Sequence, residues 1–96
     1  MSDESENVPE NSILIGEYDV SPSYEVDMGF AYLLPDGKVY LRWASGCSCW
    51  AGEWYSDTYA SISDMIQFGL SEDKLENFKW EKNFEVFGDV WRIYRT

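Results

Sequence analysis

Between Tyr24 and Tyr32 large apolar side chains alternate with small or acidic ones. Tyr24, Val26, Met28, Phe30 and Tyr32 fall on one side, and Glu25, Asp27, Gly29 and Ala31 on the other. A period of two is that of a half-buried strand. Pro35, Asp36 and Gly37 separate it from a second run, Lys38 to Trp43. Proline presets φ and glycine accepts a positive φ, so the two runs predict an antiparallel hairpin. Upstream, Ile13, Leu14 and Ile15 open the stretch Ser12 to Val20, which predicts a short first strand or a segment along the edge of the sheet, ended by a turn at Ser21-Pro22-Ser23.

The period then changes. Tyr59, Ile62, Met65, Ile66 and Leu70 recur at steps of three and four, which predicts a helix that Gly69 helps to end. Ser71 is suited to cap a second short helix with Glu72 and Asp73 in its first turn and Leu75 and Phe78 as its buried face. Phe84 to Phe87 and Val90 to Tyr94, joined at Gly88-Asp89, predict a second hairpin. Strands, then helices, then strands give an α+β fold: a mostly antiparallel sheet of about four or five strands with one or two helices on one face. Residues 12–96 read as a single domain, and residues 1–11, with four acids and little to bury, as a flexible acidic tail.

With 96 residues, the chain supports one modest core. Aromatic residues, 18% of the total, supply its bulk. The net charge of -11 is uneven: residues 1–73 hold 14 acids and only Lys38 and Arg42 as bases, whereas residues 74–96 hold five bases and four acids. Direct contact with a nucleic-acid backbone needs clustered Lys and Arg, which most of the chain lacks. Long-range attraction favours a basic partner instead, although acidity also serves solubility alone. No apolar run approaches the roughly 20 residues of a membrane-spanning helix, and the beginning has no secretory pattern, so the expectation is no membrane and a cytoplasmic location.

Candidate chemistry is sparse. Histidine is absent, which removes the commonest general base and metal ligand. No phosphate-cradling loop or nucleophile elbow appears, and among so many acids a carboxylate pair such as Glu53 with Asp57 arises by chance; the expectation is no catalytic residue, no enzyme activity and no cofactor. Cys47-Ser48-Cys49 has three readings. As a metal site the pair of thiols needs Glu53 or Asp57, or the same loop of a second chain, to complete four ligands. As a redox site it lacks the two-residue spacing and would close a strained ring. Otherwise the thiols are simply small buried groups.

Trp43, Trp50, Trp54, Tyr55 and Tyr59 are either core or contact surface. Trp50 and Trp54 lie off any periodic element, and loop aromatics beside acids have the composition of a binding hot spot. The candidate partner-binding residues are therefore Glu25, Asp27, Trp50, Glu53, Trp54 and Asp57.

The order of aromatic strand, Pro-Asp-Gly-Lys turn, second strand and Ser45-Gly46-Cys47-Ser48-Cys49, before a short acidic helical segment, resembles a group of small proteins encoded by bacteriophages of actinobacteria. The likeness spans residues 24–70 and implies a phage origin, with no activity to carry over. Together these features lead to the expectation of a non-catalytic protein that binds and modulates a host protein through a basic surface, such as a defence or nucleic-acid-binding protein, its carboxylates imitating phosphates. The alternative is a structural or metal-stabilised homodimer built on Cys47 and Cys49.

Overall fold

The computed structural model describes residues 8–23, 25–47, 53–87 and 90–93. Its centre is a five-stranded antiparallel sheet of order β4-β3-β2-β1-β5, built from β1 (Ile13–Asp19), β2 (Glu25–Leu33), β3 (Val39–Cys47), β4 (Tyr55–Tyr59) and the two-residue β5 (Lys79–Trp80). Between β4 and β5 run α1 (Ile62–Asp64), a π-helical turn over Met65–Gly69, and α2 (Glu72–Glu76). A separate hairpin of β6 (Phe84–Phe87) and β7 (Val90–Ile93) follows. The result is an α+β arrangement, as the order of periodicities predicts.

The β2–β3 hairpin closes as its turn residues dictate. Gly37 has φ 91°, the Gly37 amide donates to the Leu34 carbonyl at 3.0 Å, and the Asp36 carboxylate accepts from the Lys38 amide at 3.0 Å. β3 is longer than the run from Lys38 to Trp43, because Ala44 to Cys47 also pair, with Glu25 to Met28. β1 is not at the edge: it lies between β2 and β5, and a bulge between Leu14 and Gly16 turns Ile15 fully into the core. Ser61 and Ser71 cap the two helices, accepting from Asp64 and Lys74 amides at 3.1 and 3.3 Å.

Three other expectations change. Tyr59 belongs to β4 rather than to the helix, and β4 itself carries no apolar alternation that would have announced it. Gly69 is not a left-handed cap, since Gly37 is the only glycine of positive φ among the described residues. It is small because a Cβ there would stand 2.7 Å from Cζ of Tyr59. Leu75 is exposed, while Phe78 is buried just beyond α2, so the second helix presents one buried neighbour instead of a stripe. Of the tail expected over residues 1–11, residues 1–7 lie outside the described residues. Glu10 and Asn11 form a turn in which Asn11 has φ 62°, and the Ser12 hydroxyl donates to the Pro9 carbonyl at 2.7 Å.

The core gathers Ile15, Tyr18, Ala31, Leu33, Val39 and Leu41 from the sheet and Ile62, Met65 and Leu70 from the helical segment. In β2 it is therefore the Gly29, Ala31, Leu33 face that the helical segment covers, not the face bearing Val26, Met28, Phe30 and Tyr32, which is half-buried. The reason is volume. Tyr18, directly opposite Gly29, lays its ring across it, so that a Cβ on Gly29 would stand 2.4 Å from the ring. No helix among the described residues is long and apolar enough to cross a membrane.

Candidate binding site

Residues opposite each other in antiparallel strands share a face of the sheet. Glu25 pairs with Cys47, Asp27 with Ser45, Gly29 with Trp43, Trp43 with Tyr55 and Leu41 with Asp57. Glu25, Asp27, Trp43, Tyr55 and Asp57 therefore lie on one face, the one whose other end is covered by the helical segment. Glu53, just before β4, joins them by accepting a hydrogen bond from the Tyr55 hydroxyl at 3.2 Å. Four of the six candidate residues are thus brought to one side of the molecule.

Trp54 is placed elsewhere. Its ring lies 4.5 Å from the Arg42 guanidinium and 5.9 Å from the Phe30 ring, on the opposite face, where Arg42 is 5% exposed. There it covers a cation that belongs to its own chain. Trp50 and Cys49 lie outside the described residues, and Cys47 is described through its backbone at the end of β3. The three readings of the Cys47-Ser48-Cys49 stretch fall there with them. Among the described residues no three His, Cys, Asp or Glu side chains come together as a metal site.

Where the helical segment ends and the open part of the face begins there is a cavity of about 210 Å³, lined by Tyr18, Trp43, Asp57, Tyr59, Phe68 and Lys74 among others. Each wall has a local cause. Trp43 reaches diagonally across the β3–β4 pair and its indole N–H donates to Oδ2 of Asp57 at 2.9 Å, while its ring meets that of Tyr55 at 4.9 Å. Gly69 admits the ring of Tyr59. The π-helical turn, a form often found at functional sites, carries Phe68 at the rim, 71% exposed. Lys74 reaches back from α2, its Nζ 5.3 Å from the centre of the Tyr18 ring and 3.7 Å from Oδ1 of Asp27. That oxygen is buried and has no hydrogen-bond partner among the described residues, so the ammonium is its nearest compensation.

Three tyrosines report the potential on this face. The Tyr18 hydroxyl is pushed well above the usual tyrosine range by burial, then by Asp27 and Tyr59. Tyr59 is raised by burial and then by the charge of Asp57, and Tyr55 by its hydrogen bond to Glu53 and then by that carboxylate's charge. A neighbouring negative charge contributes in every case, which is the mark of a face that disfavours further anions and favours cations.

Sequence reasoning left Trp43 and Tyr59 open between core and contact surface, and passed over Phe68. Tyr55, Asp57 and Tyr59 at steps of two were a usable signal for a polar edge strand presenting one aromatic and acidic face. Phe68 had no such signal, since its exposure depends on the π register. No protein-family model, curated protein or solved structure matches the chain.

Proposed function

We propose that this is a non-catalytic binding protein that engages a basic surface on a protein partner through the face carrying Glu25, Asp27, Glu53 and Asp57, with Trp43, Tyr55 and Phe68 as its apolar contacts. The observation that supports it most directly is the strand register, which gathers Glu25, Asp27 and Asp57 with Trp43 and the exposed Tyr55 on one rigid side. Charges on strands keep their spacing: two residues of strand separate Glu25 from Asp27 by about 6.5–7 Å along the chain. A fixed row of that kind suits imitation of a nucleic-acid backbone in the basic groove of a host protein, the finer form of this reading that the phage resemblance favours. Aromatics beside charges form the usual centre and rim of a specific interface.

A salt series of binding kinetics against an immobilised octa-arginine peptide tests the directed character of the face. Neutralising Glu25, Glu53 and Asp57 together is expected to slow association at least tenfold at low salt, with the advantage of the wild type lost near 0.5 M salt, where the Debye length is only about 4 Å. Neutralising Glu17 and Asp19 on the opposite face with Asp36 in the β2–β3 turn, an equal change in net charge, is expected to cost about twofold. Equal losses from the two triple variants would reduce the acidity to a matter of solubility.

A further inference from the structure

The cavity at the edge of the helical segment offers more than a share in a negative field. We propose that it is a receptor for a single cationic side chain, of arginine or lysine, projecting from the partner; this rests on the reading that the face engages a basic surface, and names the contact at its centre.

Three observations lead there. First, the lining is that of a cation cage: Tyr18, Trp43, Tyr59 and Phe68 contribute rings, and Asp57 contributes a carboxylate. Rings attract cations through their negative faces, and the attraction grows as water is excluded. Second, the chain already holds a cation in the same surroundings. Lys74 sits over the Tyr18 ring and beside Asp27, so one wall is satisfied internally. Asp57 is then the carboxylate of the lining that no described lysine or arginine neutralises within ion-pair distance. Third, Asp57 is oriented before any ligand arrives. The Trp43 indole occupies one side of Oδ2, and the remaining lone pairs of the carboxylate stay open to a donor. A volume of about 210 Å³ is ample for a guanidinium or ammonium head with part of its stem. A planar guanidinium, which stacks on rings as well as pairing with a carboxylate, is the better occupant of the two.

The Trp43 indole N–H is a built-in reporter, because anything that binds Asp57 perturbs the hydrogen bond it makes. The test is a titration of the ¹⁵N-labelled full chain, following that indole resonance, assigned from its absence in Trp43→Phe. The probes are end-blocked Gly-Ser hexapeptides carrying a single arginine, lysine or citrulline. Saturable movement is expected with arginine, two- to threefold weaker binding with lysine, and at least tenfold weaker binding with citrulline, which keeps the shape and loses the charge. Asp57→Asn, which retains an acceptor for Trp43, is expected to abolish the preference for arginine over citrulline. Phe68→Ala, at an exposed position that leaves the core intact, is expected to weaken the arginine peptide three- to tenfold, and Lys74→Met to strengthen it a few-fold by removing a competing positive charge. Citrulline binding as well as arginine, or no effect of Phe68→Ala, overturns the cage. Octa-arginine separates the two levels of the proposal. Movement of the Glu25 and Asp27 amides with a silent Trp43 indole overturns the cage and leaves the acidic face standing. Silence at all three positions overturns both.

Discussion

The two faces of the sheet are built on opposite plans. On the face covered by the helical segment, β2 contributes almost no volume: Gly29 leaves room that Tyr18 fills from β1, and Met65 joins the same core from the helical segment. On the other face the bulk belongs to the strand itself, in Val26, Met28, Phe30 and Tyr32, and remains half-buried. Each face also sets a cation against an aromatic ring. Arg42 beneath Trp54 is closed off by its own chain, whereas Lys74 over Tyr18 stands at the wall of a cavity that has room for another group. The comparison teaches that alternation of hydrophobic residues reveals a strand and its two faces, but which face becomes the core depends on the volume its neighbours bring.

The comparison breaks most sharply at Met65, fully buried in the core on the covered side of the sheet. Met65→Ala is expected to destabilise the fold by about 2–5 kcal/mol, read as a lowered urea midpoint at unchanged slope. Met28→Ala, a truncation of the same size on the half-buried face, is expected to cost about 1 kcal/mol. Equal costs would mean that the two faces are equally committed to the core.

A gain of one carbon should hurt as a loss does, provided it falls on the small-residue face. Gly29→Ala places a methyl carbon 2.4 Å from the Tyr18 ring, which cannot stay where it is. About 1–3 kcal/mol of destabilisation is expected, with the ring displaced from Lys74 and the cavity altered in consequence. Denaturant unfolding combined with the peptide titration checks both halves. A variant as stable as the wild type would show that the ring moves freely, and that the cavity is not preformed.

These same residues mark how far the chain could be read. The hairpin at Pro35-Asp36-Gly37, the cap at Ser71 and the last hairpin were legible because each depends on local backbone chemistry that a few adjacent residues express. The covered face of β2 was not, since Gly29 makes sense only beside Tyr18, eleven positions away and brought opposite by pairing. β4 was faint for a related reason: beyond the step of two from Tyr55 to Asp57 to Tyr59, a polar edge strand takes its structure from a neighbour and carries no apolar alternation of its own. Of the candidate site, Glu25, Asp27 and Asp57 lie on strands and Glu53 just before one, and their common face is a product of register that the sequence does not express. Trp54 was singled out for lying in a loop, and its ring is placed by Arg42 and Phe30, contacts that sequence distance conceals.

The smallest effect concerns the proton on Tyr18, and it sharpens the contrast between a ring held against carboxylates and one exposed to water. Burial first, then Asp27 and Tyr59, favours the neutral phenol in the folded state and raises its pKa. In the unfolded chain the group loses its proton near pH 10. Above that pH the unfolded state therefore binds fewer protons than the folded one, so stability falls as pH rises. The contribution is complete below pH 10 and is lost progressively above it. Tyr59, raised by burial and by Asp57, acts in the same direction. That contribution persists in Tyr18→Phe, so the difference between the two proteins isolates Tyr18. The variant is expected to change stability at pH 7 by about 1 kcal/mol or less. Between pH 10 and 11.5 its melting temperature should fall less steeply than that of the wild type. Parallel alkaline limbs would show that the Tyr18 hydroxyl is solvated after all, and that the wall it forms is open to water.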